Sequence, residues 1–203
     1  MVAFANPLRG LASDAANLTD LLRTIKGPIV LVGHSYGGMV ISQAAAGNRH
    51  VQSLVFVDAQ IPLPGETAAE LTNKYPGSQY GAALLERPFT LPNGKKGVDL
   101  YVQPAKYRAL FTGPHIGKAE ALALAAIQRP VAVTALNEPA TKAAWRHIPS
   151  WDVIGTKDTA IPPASQVFMA RRAHAHITRI AAPHASMLTF PGVIAKVIED
   201  ASR

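Results

Sequence analysis

The 203-residue chain contains no cysteine. Disulfides, thiolate metal sites and a cysteine nucleophile are thereby excluded. The absence fits a reducing compartment, and a cytoplasmic location is the expectation. Long apolar runs are missing too. No stretch approaches the ~20 residues that cross a bilayer, and Met1-Val2-Ala3-Phe4 is too short for a signal peptide. No membrane partner is expected. Acidic residues are few, 13 against 20 Lys and Arg, which leaves a net charge of +7. The basic residues are scattered, with Lys95-Lys96 and Arg171-Arg172 the only adjacent pairs. No basic stripe is interleaved with aromatics, so nucleic acid is not an expected partner. The surplus gives at most a general attraction for anions. His174 and His176 could share a face, but no third ligand stands at suitable spacing. No metal and no cofactor is expected.

Apolar residues make up 48% of the chain, enough for one well-buried domain over residues 1–203. Residues 2–5 read as a short strand ended by Asn6-Pro7. Ser13-Asp14 can cap a helix with Ala15, Leu18, Leu21, Leu22 and Ile25 at helical spacing, ended by Gly27-Pro28. Pro28–Val32 is continuously apolar, as a strand buried on both faces must be. A helix from Met39 to Ala46 follows, then a buried strand at 52–58. From about 60 to 147 the texture changes. Prolines and glycines punctuate helical pieces at 67–73, 79–85, 104–112 and 117–128, with a short hairpin near Pro92-Asn93-Gly94. The α/β rhythm returns with a strand at 148–154, a helix at 164–173, a strand at 175–181 and a last helix from Pro191 to Ala201. The reading is an α/β core, residues 1–59 and 148–203, with a helical cap over 60–147. Its sheet is mostly parallel and covered on both faces.

The most informative residues are Gly33-His34-Ser35-Tyr36-Gly37-Gly38, a G-x-S-x-G run between strand and helix. A serine on so tight a turn takes a strained backbone conformation, and the flanking glycines have no side chains to clash there. Its hydroxyl is pushed out above the sheet, with a helix N-terminus behind it. No Gly-Lys-Ser/Thr is present in the run, which argues against a phosphate-binding loop.

A serine hydroxyl is a weak nucleophile until a base takes its proton, and the base needs an orienting carboxylate. In open parallel sheets such groups gather beyond the C-terminal ends of strands. His184 lies between the last strand and the last helix and is the best base. His34 packs beside the serine, and His50, His115 and His147 read as surface or cap residues. Two acids end strands and can reach a histidine: Asp158, which is favoured, and Asp58. Asp152 lies within its strand and reads as structural.

These residues resemble the α/β-hydrolase family. The closest type is its small esterases, which include plant methyl-ester hydrolases, hydroxynitrile lyases and bacterial carboxylesterases. The resemblance rests on Val32–Gly38, on Pro149-Ser150-Trp151 with Gly155–Asp158, and on His184–Met187. It implies Ser35 as nucleophile, His184 as base, Asp158 as its partner and the Tyr36 backbone N–H as an oxyanion donor. It also implies a small-molecule carboxylic ester as substrate, with residues 60–147 as the cap over the pockets. Ala185 stands where hydroxynitrile lyases of this type carry a lysine, which argues against cyanohydrin cleavage. The resemblance further implies N-terminal truncation. Family members begin with more strands, and a His-Gly loop there supplies the second oxyanion donor. Loss of one donor costs about a hundredfold or more in rate. The serine strand would then have an open edge, covered by the first strand sliding inward or by a second copy of the chain. The rival reading is a non-catalytic ligand-binding or inactive truncated member of the same fold.

Overall fold

The computed structural model describes residues 1–91 and 93–203. The apolar runs form four parallel strands: β1 (Ile29–His34), β2 (Val51–Val57), β6 (Ser150–Gly155) and β7 (His176–Ile180), in the order β1-β2-β6-β7. Their register brings His34 level with Val57, Val57 with Val153 and Gly155 with Ile180. All four C-terminal ends therefore lie along one side of the sheet, with Ser35, Asp58, Asp158 and His184 in the loops just beyond.

Both faces are covered, as continuous apolar strands require. Leu54 and Phe56 of β2 and Ile154 of β6 point to the face packed by α1 (Leu11–Thr24), α2 (Gly37–Ala44) and α7 (Pro163–Arg172). Val55, Val57 and Val153 point to the other face, against Ile194 and Val197 of α9 (Pro191–Asp200). Helix α1 buries Leu11, Ala15, Leu18 and Leu22, one stripe at helical spacing. A short helix, α8 (Ser186–Thr189), precedes α9 and was not legible in advance.

The inserted segment contains α3 (Ala68–Thr72), α4 (Pro104–Tyr107) running into a π turn at Arg108–Thr112, α5 (Lys118–Ile127) and α6 (Val133–Asn137). Among these stands a three-stranded antiparallel sheet of β3 (Leu84–Thr90), β4 (Lys96–Val102) and β5 (Val131–Ala132). The insertion is thus helical in part only, and the helix expected at 79–85 is a single 3-10 turn, Gly81–Ala83, that leads into β3. Pro88 is tolerated because β3 is an edge strand. Gly97, opposite Phe89, leaves room for the ring to lie across the backbone of β4. The hairpin expected near Pro92-Asn93-Gly94 joins these two strands, with Pro92 itself outside the described residues.

The strand expected at residues 2–5 does not form, and the segment does not slide in beside β1. Its continuation is tied elsewhere. The Ala132 N–H donates to the Leu8 carbonyl at 2.9 Å, and the Arg9 guanidinium binds Asp99 at 2.6 Å and the Pro130 carbonyl at 3.0 Å. Leu8 takes φ 61° to make this turn. Phe4, ahead of it, packs against the main core, and β1 pairs only with β2 among the described residues. Val32 of β1 is 39% exposed in consequence.

Candidate active site

Ser35 occupies the turn from β1 into α2 with φ 53°, a left-handed conformation that costs a non-glycine residue about 1–3 kcal/mol. Glycine is required at two neighbours. A Cβ on Gly33 would meet the Gly37 carbonyl oxygen at 2.6 Å, and one on Gly38 would run into the backbone of Gln60. Gly37 has open space. Gly38, rather than Gly37, is the second glycine that packing demands. The segment after β2 braces the turn from both sides: the Ser35 N–H donates to Val57 O at 3.2 Å, and the Gln60 N–H donates to Ser35 O at 3.3 Å.

The structure brings Ser35, His184 and Asp158 into one hydrogen-bonded line. His184 Nε2 lies 2.9 Å from Ser35 Oγ, and His184 Nδ1 lies 2.8 Å from Asp158 Oδ2. An ionised carboxylate can only accept, so Nδ1–H donates to Asp158 and bare Nε2 faces the serine hydroxyl. Asp158 is held rigidly. Its Oδ1 accepts the N–H groups of Ala160 at 2.7 Å and Ile161 at 3.0 Å, and its Oδ2 also accepts from Gln166 Nε2 at 2.8 Å. Burial opposes charge on His184 most strongly. The Asp158 carboxylate and its hydrogen bond, with Asp58 behind, more than offset it and raise the His184 pKa above the usual 6.5. Such a line can take a proton from Ser35 and hold the resulting imidazolium.

His184 is gripped from other sides as well. His34 Nε2 lies 2.9 Å from the His184 carbonyl oxygen, to which it donates, and the two rings sit 4.8 Å apart. Burial, together with the charge of His184, lowers the His34 pKa to about 3, so His34 stays neutral. Phe111, from the insertion, sets its ring edge-on to His184 at 5.2 Å, and its carbonyl accepts the Ala185 N–H at 2.8 Å. Gln166 and Phe111 left no signal in the sequence, because each contact depends on how separate elements are packed together.

The Tyr36 N–H, at the start of α2, meets no acceptor among the described residues. The Tyr36 side chain turns away, its hydroxyl donating to buried Asp14 of α1 at 3.0 Å. Burial, and then the nearby Asp14 charge, raise its pKa. Asp58, the other candidate acid, makes no hydrogen bond to the His184 ring. Its two oxygens accept backbone N–H groups, of Gly155 at 2.8 Å and of Ser186 at 3.1 Å. Asp152 is fully buried with both oxygens unpartnered. Burial, and then the charge of Asp58, raise its pKa well above the carboxylate range. His176 lies against Trp151 at 4.9 Å, and His50, His115 and His147 are exposed. Among the described residues no group of three or more His, Asp or Glu is placed to hold a metal ion, and no helix is long and apolar enough to cross a membrane.

Ser35 and His184 stand in the wall of a cavity of about 1260 Å³. It runs between α1, β1 and the insertion, with Leu21, Ile25, Leu84, Tyr107 and Phe111 among its lining and Met1–Phe4 at one margin. A cavity this size exceeds the ~300–1,000 Å³ of ordinary ligand pockets.

Comparison with known proteins gives consistent results. The model of a family described as the alpha/beta hydrolase family matches residues 5–197. An alpha/beta hydrolase of Aspergillus novofumigatus, nvfD, is 29% identical over 187 residues, covering 86% of this chain and 70% of that protein. Among solved structures, polyneuridine aldehyde esterase superposes with TM-score 0.77 at 20% identity, over 98% of this chain and 82% of that one. A pyrethroid hydrolase from Sphingobium faniae JZ-2 gives 0.69 at 22% identity, over 95% and 78%. A methylesterase from Arabidopsis gives 0.71 at 15% identity, over 99% and 81%. At these identities the likeness is one of fold.

Proposed function

We propose that this chain, which belongs to the alpha/beta hydrolase family, is a serine esterase that cleaves a small-molecule carboxylic ester through an acyl-enzyme. The observation that carries the reading is the line Asp158–His184–Ser35, with links of 2.8 and 2.9 Å. Ser35 Oγ attacks the ester carbonyl while His184 Nε2 takes its proton. Asp158 keeps the imidazole in the Nδ1–H tautomer and stabilises its charged form. The Tyr36 N–H donates to the oxyanion of the tetrahedral intermediate. His184 then returns the proton to the departing alcohol. Water, activated by the same base, releases the acid.

The cavity supports an apolar ester, since aliphatic and aromatic side chains dominate its wall. The names of the structural neighbours, two esterases and a pyrethroid hydrolase, agree with ester chemistry on this fold. A fluorophosphonate probe tests the reading, because it reacts only with an activated serine. Labelling of the folded protein at Ser35, abolished in Ser35→Ala, is expected. No labelling, or equal labelling of the Ser35→Ala variant, overturns it.

A further inference from the structure

Asp58 bonds the backbone close to Asp158 and close to His184, while its own chain neighbours hold the backbone of Ser35. It follows β2 directly, is fully buried and has φ 45°, a backbone cost that calls for a local reason. Oδ1 takes the N–H of Gly155, the last residue of β6 and three before Asp158. Oδ2 takes the N–H of Ser186, two residues after His184. On either side of Asp58, Val57 O and Gln60 N–H hold the backbone of Ser35. Gly155 is what lets the carboxylate approach: a Cβ there would meet Asp58 Oδ1 at 2.8 Å and the Ala182 carbonyl oxygen at 2.6 Å.

Resting on the esterase reading above, we infer that Asp58 is a positioning residue for the reaction. It fixes the spacing of Ser35, Asp158 and His184 through the backbone and adds its negative charge to that of Asp158 behind the imidazole. The two roles are coupled to ionisation. Only a carboxylate offers an acceptor to both amides without a proton in the way. The charged or titratable groups around it are His184, Asp158 and Asp152. Burial, with the charge of Asp158 added, pushes the Asp58 pKa up to about 7 against the pull of His184, Ser186 and the Gly155 N–H, so the group stays in reach of ionisation at neutral pH.

Asp58→Asn tests this. The amide keeps one acceptor but turns an N–H₂ toward the other donor, and the charge is gone. The rate of fluorophosphonate labelling is measured against pH, with thermal melting of the same sample giving the folded fraction. The expected plateau rate is lower by about 10–100-fold, the scale of a small misplacement of reacting groups. The midpoint of the pH dependence moves down, because His184 has lost a neighbouring negative charge. A folded variant labelled at the wild-type plateau overturns the inference. So does a plateau that falls only in parallel with the folded fraction, its midpoint unmoved. If Asp58→Asn does not fold, Ser186→Pro removes one amide donor at the first position of α8, where proline is tolerated. The same plateau loss is expected, and its absence overturns the inference. Failure of the wild type to label overturns the esterase reading itself. A labelled wild type with an indifferent variant overturns only the role of Asp58.

Discussion

At the scale of single residues, His184 sets how the protein should respond to pH. Its pKa is raised above 6.5, so the imidazolium persists further up the pH scale than in a free histidine. In the proposed mechanism only the neutral ring accepts the Ser35 proton. Ester hydrolysis, followed as kcat/KM, should therefore rise with pH through a midpoint above 6.5. Asp158→Asn should lower that midpoint and cut the plateau by about 10⁴-fold, the scale of loss when a serine protease is deprived of its orienting carboxylate. A wild-type midpoint at or below 6.5 would contradict the electrostatics described here. That Ser35, Asp158 and His184 come together was legible because their order in the chain and their places after strands follow from the parallel topology. The hydrogen bond from His34 to the His184 carbonyl was not. A histidine beside a serine carries no mark of which carbonyl, 150 positions away, it will face.

At the scale of elements, the parallel strands were readable from their unbroken apolar runs, and boundaries moved by only a few residues. Of the inserted sheet only the hairpin near Asn93-Gly94 was readable, since Pro88 and Gly97 are poor strand residues whose tolerance comes from an edge position and a covering ring. The 2–5 segment failed for the opposite reason. Its sequence suits a strand, but Leu8 and Arg9 are committed to the inserted sheet. A second tie joins insertion and core ahead of α3. The Arg172 guanidinium, in the last turn of α7, grips Glu66 with two hydrogen bonds of 2.7 and 2.6 Å. Burial works against the Glu66 charge, but Arg172 and the Leu63 N–H outweigh it and lower the pKa. Lowered folded-state pKa means stability present above the ordinary Glu range and lost as pH falls through the depressed value. Glu66→Gln should cost about 1–2 kcal/mol in urea unfolding at neutral pH. The difference should shrink as the pH falls below the Glu range. A pH-independent difference would assign the loss to packing instead.

For the whole molecule, the cavity is the dominant feature, and it belongs to no single element. Helix α1, strand β1 and the insertion each supply part of its wall. Its apolar lining was implied by the composition, but its size comes from how the insertion stands off the sheet, which no local pattern encodes. Each methylene that a substrate buries there should contribute up to ~0.8 kcal/mol, roughly fourfold in binding. For p-nitrophenyl esters, kcat/KM should climb steadily from acetate through butyrate to hexanoate. A flat or falling series would mean that the acyl group does not enter the cavity.

The backbone of Ser35 has a consequence for descent as well as for chemistry. Its φ of 53° is one that glycine adopts freely and serine does not. Glycine at this position would keep the turn and relieve the strain. A lineage with no use for the hydroxyl would therefore gain stability by losing it. Sequences that turn to glycine at position 35 are where loss of the proposed chemistry should first be sought.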